Sequence, residues 1–251
     1  MIITPVKTHK ITEKDTNLFN IIDTYINKME ENSILVVTSK IVSITEGRIQ
    51  KINHTTEATD KEKLVKEESE MFLDKNENQY GFYLTITQNL LIPTAGIDES
   101  NGNGYYILWP ENPYDTANKI RKHLEEKFGV QNVGVIITDS KTTPLRWGTT
   151  GVSIAHSGFN ALNDYMGKPD LFERVMRVTK ANVADGLAAG AVACMGEGQE
   201  QTPLAVISEL SNIEFTNRDL TEEEIRTLRI NLDDDVYAPI LKRAPWQKGQ
   251  K

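Results

Sequence analysis

Apolar residues recur along this chain in two rhythms, and the rhythm changes several times. Ile2 to Val6 reads as a short strand. Leu18, Ile21, Ile22, Tyr25 and Ile26 then fall on one face of a helix lying within Asp15 to Met29. Inside Ser33 to Ser43, the run Ile34-Leu35-Val36-Val37 has the signature of a buried strand and leads into Thr38-Ser39-Lys40. The Lys- and Glu-rich stretch from Asn53 to Asn78 predicts an exposed helix with a loop around Asp74 to Gln79. Phe82 to Ile92 predicts paired strands turning at Gln88-Asn89, and the Gly, Asn and acid cluster from Gly96 to Gly104 predicts a loop. Tyr114 to Phe128 is an amphipathic helix stopped by Gly129. Val133 to Thr138 is a strand delivering Asp139-Ser140, and Gly148 to Ser157 alternates as a strand. Thr179 to Met195 is Ala-rich and helical with Thr179 as its N-cap. A polar turn, Gly196 to Thr202, precedes a short strand from Leu204 to Ile207. Thr221 and Glu224 form a capping box for a last helix reaching Leu228, and the tail from Pro245 to Lys251 is expected to fray. Without a regular alternation of strand and helix, the order predicts an α+β fold of mixed sheets with flanking helices.

Length and charge narrow the picture. Domains run to roughly 100–200 residues, so the 251 residues predict one unit over 1–251, built as a single body or as two interlocked subdomains. The formal charge is −8, which argues against a broad basic face for nucleic acid and suits sites where carboxylates hold cations. Cys194 is the only cysteine, so no internal disulfide forms. The first ten residues have no apolar signal core, and no stretch approaches the ~18 apolar residues of a membrane span. A cytoplasmic protein with no membrane partner is the expectation.

Several familiar chemistries are excluded. The sequence has no GxxxxGK[ST], no GxGxxG after a strand, no HExxH or paired CxxC, and no GxSxG. What remains is acids at the ends of apolar runs: Asp98 after Ile92 to Ile97, Asp139 after Val135 to Thr138, and Glu197 and Glu200 in the turn after the Ala-rich helix. Hard divalent cations take oxygen ligands, and Ser140 offers a hydroxyl beside Asp139. Each acid alone reads equally as a turn or helix cap. Gly196 to Pro203 reads either as a plain turn or as backbone N–H groups wrapped on phosphate. Lys40 and Arg146 suit phosphate or carboxylate charge, or a surface. His156, among small and apolar neighbours, reads as a satisfied interior histidine rather than a general base.

The chain as a whole resembles the coenzyme F420-0:gamma-glutamyl ligase family. The similar segments run in order: Val36 to Ser43 with Glu46-Gly47-Arg48, Ala95 to Asn101, Val135 to Ser140, Pro144-Leu145-Arg146-Trp147-Gly148, Asp164 to Asp170, and Met195-Gly196-Glu197. The resemblance implies a ligase in which a nucleoside triphosphate, GTP or ATP, phosphorylates an acceptor carboxylate. L-glutamate then displaces the phosphate to form an amide. It implies Mg2+ or Mn2+ held by Asp98, Asp139, Ser140 and Glu200, with Asp98, Asp139 and Arg146 as the catalytic set. Nucleotide contacts would come from Ser39, Lys40, Asn101, Met195, Gly196, Glu197, Gly198, Gln199, Glu200, Gln201 and Thr202. It also implies a homodimer. Three departures leave nucleotide and acceptor identity open: Ile44 and Thr143 stand where the family has lysine and arginine, and Lys7-Thr8-His9-Lys10 replaces a Gly-Leu-Pro-Glu-like segment. The opening Ile3 to Thr8 and the segment Thr149 to Tyr165 look more like a bacterial branch described as folate-metabolism gamma-glutamate ligases. The expected acceptor is therefore a pterin or folate ahead of a deazaflavin.

Overall fold

A computed structural model describes residues 1–53 and 57–251, with side chains from 57 to 59 undescribed. In chain order the elements are β1 (Ile2–Val6), α1 (Leu18–Tyr25), β2 (Ser33–Thr38), α2 (Ser39–Glu46), β3 (Ile49–Lys51), α3 (Glu57–Glu68), β4 (Met71–Leu73), β5 (Leu84–Thr87), β6 (Leu90–Pro93), β7 (Tyr105–Ile107) and α4 (Pro113–Phe128). They continue as β8 (Val133–Thr142), β9 (Thr149–Ser157), β10 (Leu162–Asp164), β11 (Lys180–Asn182), α5 (Val183–Met195), β12 (Leu204–Ser208), α6 (Glu222–Thr227), α7 (Ala238–Leu241) and β13 (Gln247–Lys248). The α+β expectation holds.

The main sheet has the order β1-β12-β2-β8-β9. Its pairs are antiparallel except β2 with β8, which run parallel from Ser33↔Val133 to Thr38↔Thr138. Both faces are covered, so β2 is apolar at consecutive positions. Leu35 and Val37 join Val133, Val135 and Ile137 under α1 and α4, where Ile22, Ile120 and Leu124 are buried. Ile34 and Val36 face the other way, with Ile136, against Ala184, Leu187 and Ala188 of α5. Gly151 permits that packing, since a Cβ there would strike the carbonyl of Ala188. A separate core of Leu64, Val65, Phe72, Tyr83, Ala95, Ile97, Tyr106 and Leu108 lies in the long connection between α2 and α4, under the sheet β13-β4-β5-β6.

Several boundaries differ from expectation. Helix α1 starts only at Leu18, capped by Asn17, because Asp15 is engaged by the Thr12 N–H (2.8 Å); it stops where Ile26 turns extended. A helix, α2, follows β2 directly where only a polar sequel was expected. Thr179 is not the cap of α5. Lys180 to Asn182 pairs with Leu162 to Asp164, and the Asn182 side chain accepts from the Asp185 N–H (3.0 Å). Part of the predicted 53–78 helix, residues 54–56, lies outside the described residues; the rest divides into α3, β4 and a 3-10 turn. The tail does not fray: β13 pairs with β4, Gly249 N–H donates to the Glu70 carbonyl (2.9 Å), and the Lys251 ammonium meets Glu68 (2.6 Å). The capping box of α6 is present as expected.

His156 is buried on β9 between the rings of Tyr114 (5.7 Å) and Phe159 (5.3 Å). It is interior as expected, but its Nδ1 lacks a hydrogen-bond partner among the described residues. Burial lowers its pKa from 6.5 to about 4. The unfolded chain therefore binds a proton that the folded chain refuses, and the associated stability is complete above pH 6.5 and lost as pH falls toward 4. That loss amounts to about 3 kcal/mol. Urea unfolding of the wild type and His156→Leu between pH 7 and pH 4.5 checks it. The wild type should lose more stability than the variant; parallel curves would contradict the assignment.

Candidate active site

The parallel pairing of β2 and β8 sets two C-terminal strand ends side by side, Thr38 beside Thr138. In open sheets this is where ligands bind. Ser39 and Lys40 start α2 there, and Asp139 and Ser140 follow on β8. Beyond a bulge between Ile137 and Thr138, β8 keeps pairing with β9 as far as Thr142, four residues further than expected. Bulges bend the strand and re-aim its side chains near active sites.

A cleft of about 720 Å³ opens at these strand ends. Asp98 reaches it from the other core: its backbone pairs with Ile107 through two 2.9 Å hydrogen bonds, and its carboxylate meets the Lys40 ammonium at 3.1 Å. Lys40 also donates to the Ser100 carbonyl (2.9 Å). Asp139 is held by two donors, the Ser140 N–H on Oδ1 (2.7 Å) and the Trp109 indole N–H on Oδ2. Burial, then the nearby Asp98 charge, raise the Asp139 pKa well above the usual carboxylate range, although both donors and Lys40 pull the other way. The two acids therefore repel across the cleft.

The turn after α5 forms the opposite wall. Asn101 Nδ2 donates to the Gly198 carbonyl (2.9 Å), tying the Asp98 loop to that turn. Thr202 Oγ1 donates to the Met195 carbonyl, and Gln201 accepts from the Thr8 N–H (2.8 Å). The Ser140 hydroxyl donates to Glu197 (2.6 Å), whereas Glu200 folds back to accept from the Gly198 N–H (2.8 Å). Glu197, not Glu200, is thus the glutamate joined to Ser140.

The cleft is lined by Asp98, Asp139, Ser140, Ser39, Lys40, Asn101 and all of Met195 to Thr202. Arg146 is different. It sits exposed on the turn between β8 and β9, among residues that do not line the cleft, because β8 and β9 carry that turn away from the sheet. The sequence marked Lys7 to Lys10 only as a departure from the family and named no site residue there, yet Thr8 to Thr12 line the cleft. There His9 bridges the Tyr25 hydroxyl (2.8 Å) and Asp15 (2.9 Å). It also passed over Trp109, which ends the run Tyr105 to Trp109 just before Pro110; that aromatic-rich run was the available signal. Ile44, in place of the family's lysine, is a buried, apolar part of the wall.

Among the described residues, four carboxylates (Asp98, Asp139, Glu197, Glu200) and two lysines (Lys10, Lys40) line the cleft. No three His, Cys, Asp or Glu side chains among those residues converge as a preformed metal cage. Mg2+ typically keeps one or two carboxylates and takes its remaining ligands from phosphates and water. The hard-oxygen donors here fit such an ion arriving with a phosphate-bearing ligand. Two repelling acids and few free cations would reject an anionic phosphate alone.

Residues 5–209 match the family described as F420-0:Gamma-glutamyl ligase. A Coenzyme F420:L-glutamate ligase of Methanococcus maripaludis is 37% identical over 190 residues, 71% of this chain and 76% of the relative. One from Methanocaldococcus jannaschii is 34% identical over 215 residues, 80% and 84% of the two chains. A third, from Archaeoglobus fulgidus, is 31% identical over 224 residues, 82% and 87%. Among the described residues, no helix is long and apolar enough to cross a membrane.

Proposed function

The chain belongs to the F420-0:gamma-glutamyl ligase family, and on that premise we propose that it joins the amine of L-glutamate to a carboxylate of an F420-type acceptor, using GTP or ATP. The observation that carries this reading is the pair Asp98 and Asp139 lining one cleft at the C-terminal ends of the parallel strands β2 and β8, with Asp139 on β8 and Asp98 brought in from the other core. Asp98, Asp139, the Ser140 hydroxyl and Glu197 or Glu200 would hold Mg2+ or Mn2+. A bound divalent ion neutralises phosphate charge and eases departure of the leaving group.

The chain's own groups do the rest. Backbone N–H groups at the start of α2 would face the phosphates, as helix N-termini do, with the Gly196 to Thr202 turn as the opposite wall. Lys40 adds a positive charge beside Asp98. Held in line, the acceptor carboxylate attacks the γ-phosphorus and the nucleoside diphosphate leaves. The glutamate amine then attacks the acyl carbon and loses its proton, and phosphate departs with one former carboxylate oxygen. Acceptor carboxylate labelled with 18O should hand one labelled oxygen to each phosphate released. Unlabelled phosphate alongside amide product would exclude the acyl phosphate.

A pterin or folate acceptor is the second reading. The departure from the family at Lys7 to Lys10 favours it, since Thr8, His9 and Lys10 line the cleft. A homodimer is supported by Leu145, Trp147, Leu171, Phe172 and Val178, each at least 85% exposed, which a second copy would cover.

A further inference from the structure

We propose that Trp109 is a positioning residue that couples the two acid-bearing segments, and that cation binding across Asp98 and Asp139 depends on its indole N–H. This rests on the reading of those two acids as cation ligands. The indole is buried in the core with Ile92, Val135 and Ile137. Its N–H donates to Asp139 Oδ2, while Oδ1 accepts from the Ser140 N–H, so the carboxylate is fixed against rotation. An indole N–H only donates and cannot compete for a cation.

The same ring sets the approach of Asp98. Thr94, Ala95 and Gly96 take consecutive left-handed conformations, with φ of 53°, 54° and 71°. Two of the three are not glycine, and such a backbone persists only where its surroundings enforce it. Thr94 N–H donates to the Tyr83 carbonyl (2.7 Å) and Ala95 N–H to Thr85 Oγ1 (3.0 Å). Gly96 lies so close over the indole that any Cβ would collide with it. Asp98 follows two residues later. The Trp109 backbone is itself anchored, because Arg48 Nε donates to its carbonyl (3.1 Å) and pairs with Glu68 (2.7 Å). One side chain thus touches the carboxylate of one acid and the turn that delivers the other. Two like charges drift apart unless held, and a cation finds both only if they are held first.

Partners that orient a ligand typically cost 10–100-fold in metal affinity when removed. Trp109→Phe keeps the ring and deletes the N–H. Calorimetric titration with Mn2+, with and without a non-hydrolysable triphosphate, should show binding to the wild type and loss in Asp139→Asn. Trp109→Phe should bind about 10- to 100-fold more weakly. Ile92→Val, in the same core, should lose stability without losing affinity. Wild-type affinity in Trp109→Phe, with Asp139→Asn impaired, would overturn the inference and leave the cation reading intact. Equal binding by the wild type and Asp139→Asn would overturn the cation reading and the inference with it. Should Trp109→Phe fail to fold, 15N-tryptophan spectra of the wild type decide. Trp147 is exposed and the Trp246 indole donates to the Leu241 carbonyl (2.7 Å), so Trp147→Phe and Trp246→Phe identify the third resonance. Saturating Mg2+ should move the Trp109 signal; a fixed signal despite calorimetric binding would overturn the inference.

Discussion

Asp98→Asn and Asp139→Asn each lose about 100- to 1,000-fold or more in glutamate-ligating rate while remaining folded. On the proposed reading, charge that builds on the phosphates during transfer is answered by cations that these two carboxylates would hold, with Lys40 beside them. An amide keeps the shape and the hydrogen-bond acceptor but not the charge. The stability outcome separates this from simple damage. Asp139 is destabilised in its charged form by burial and by Asp98. Asparagine there removes that repulsion, but its single carbonyl oxygen can serve only one of the two donors, the Trp109 indole and the Ser140 N–H. The two changes oppose each other, so Asp139→Asn should lose far more activity than any change in its melting temperature accounts for. Activity and melting temperature measured on one preparation test it. Wild-type rates, or a loss of rate that merely tracks unfolding, would contradict the assignment.

The largest stability effect is expected far from the cleft, at Arg121. This arginine on α4 is 1% exposed. Its guanidinium donates to Ser157 Oγ (3.0 Å), to Glu125, and to Asp219 (2.6 Å), so it ties α4 to the end of β9 and to the segment before α6. Arg121→Met removes the cation that Glu125 and Asp219 share, although Asp219 keeps Lys122 (2.7 Å). Breaking a buried pair costs about 3–5 kcal/mol. Glu125 and Asp219 keep some contact with water, 23% and 43% exposed, so the lower end, about 3 kcal/mol, is expected here. Arg121→Lys should recover little, because one ammonium cannot reproduce a planar fork reaching three partners. Urea denaturation measures both variants. A loss below about 1 kcal/mol, the ordinary scale of an exposed pair, would show that the network is not structural.

Much of the fold was legible because local pattern and tertiary role coincide. Helix α4 carries its apolar face at Ala117, Ile120 and Leu124 and stops at Gly129, whose φ of 67° suits glycine. The Gln88-Asn89 turn, with φ of 48° and 64°, joins β5 to β6 as the sequence suggested. The misses share a physical origin in partners distant along the chain. Gln247-Lys248 is polar and close to the terminus, and only pairing with β4 makes it a strand. Lys180 to Asn182 is extended because β10 pairs with it.

The site divides in the same way. Asp98 and Asp139 stood out as acids ending apolar runs, and the structure brings both to one cleft. Nothing local distinguishes Glu197 from Glu200; the Ser140 hydroxyl, 57 residues away, does so. Trp109 reads in sequence as one more core aromatic, because its N–H partner lies 30 residues on. Arg146 carries the right chemistry, but the β8–β9 turn holds it outside the cleft.

The central claim is glutamate ligation at the Asp98–Asp139 cleft, and mass spectrometry of the acceptor tests it most directly. Purified protein is incubated with L-glutamate, GTP or ATP, and Mg2+ or Mn2+, with the deazaflavin coenzyme precursor in one arm and dihydropteroate or a reduced folate in the other. The account predicts that the deazaflavin gains the mass of a glutamyl residue, with phosphate released in step and no gain in Asp98→Asn. Gain on the pterin alone would keep the chemistry and move the acceptor. No gain on any acceptor, with or without nucleotide turnover, would contradict the account.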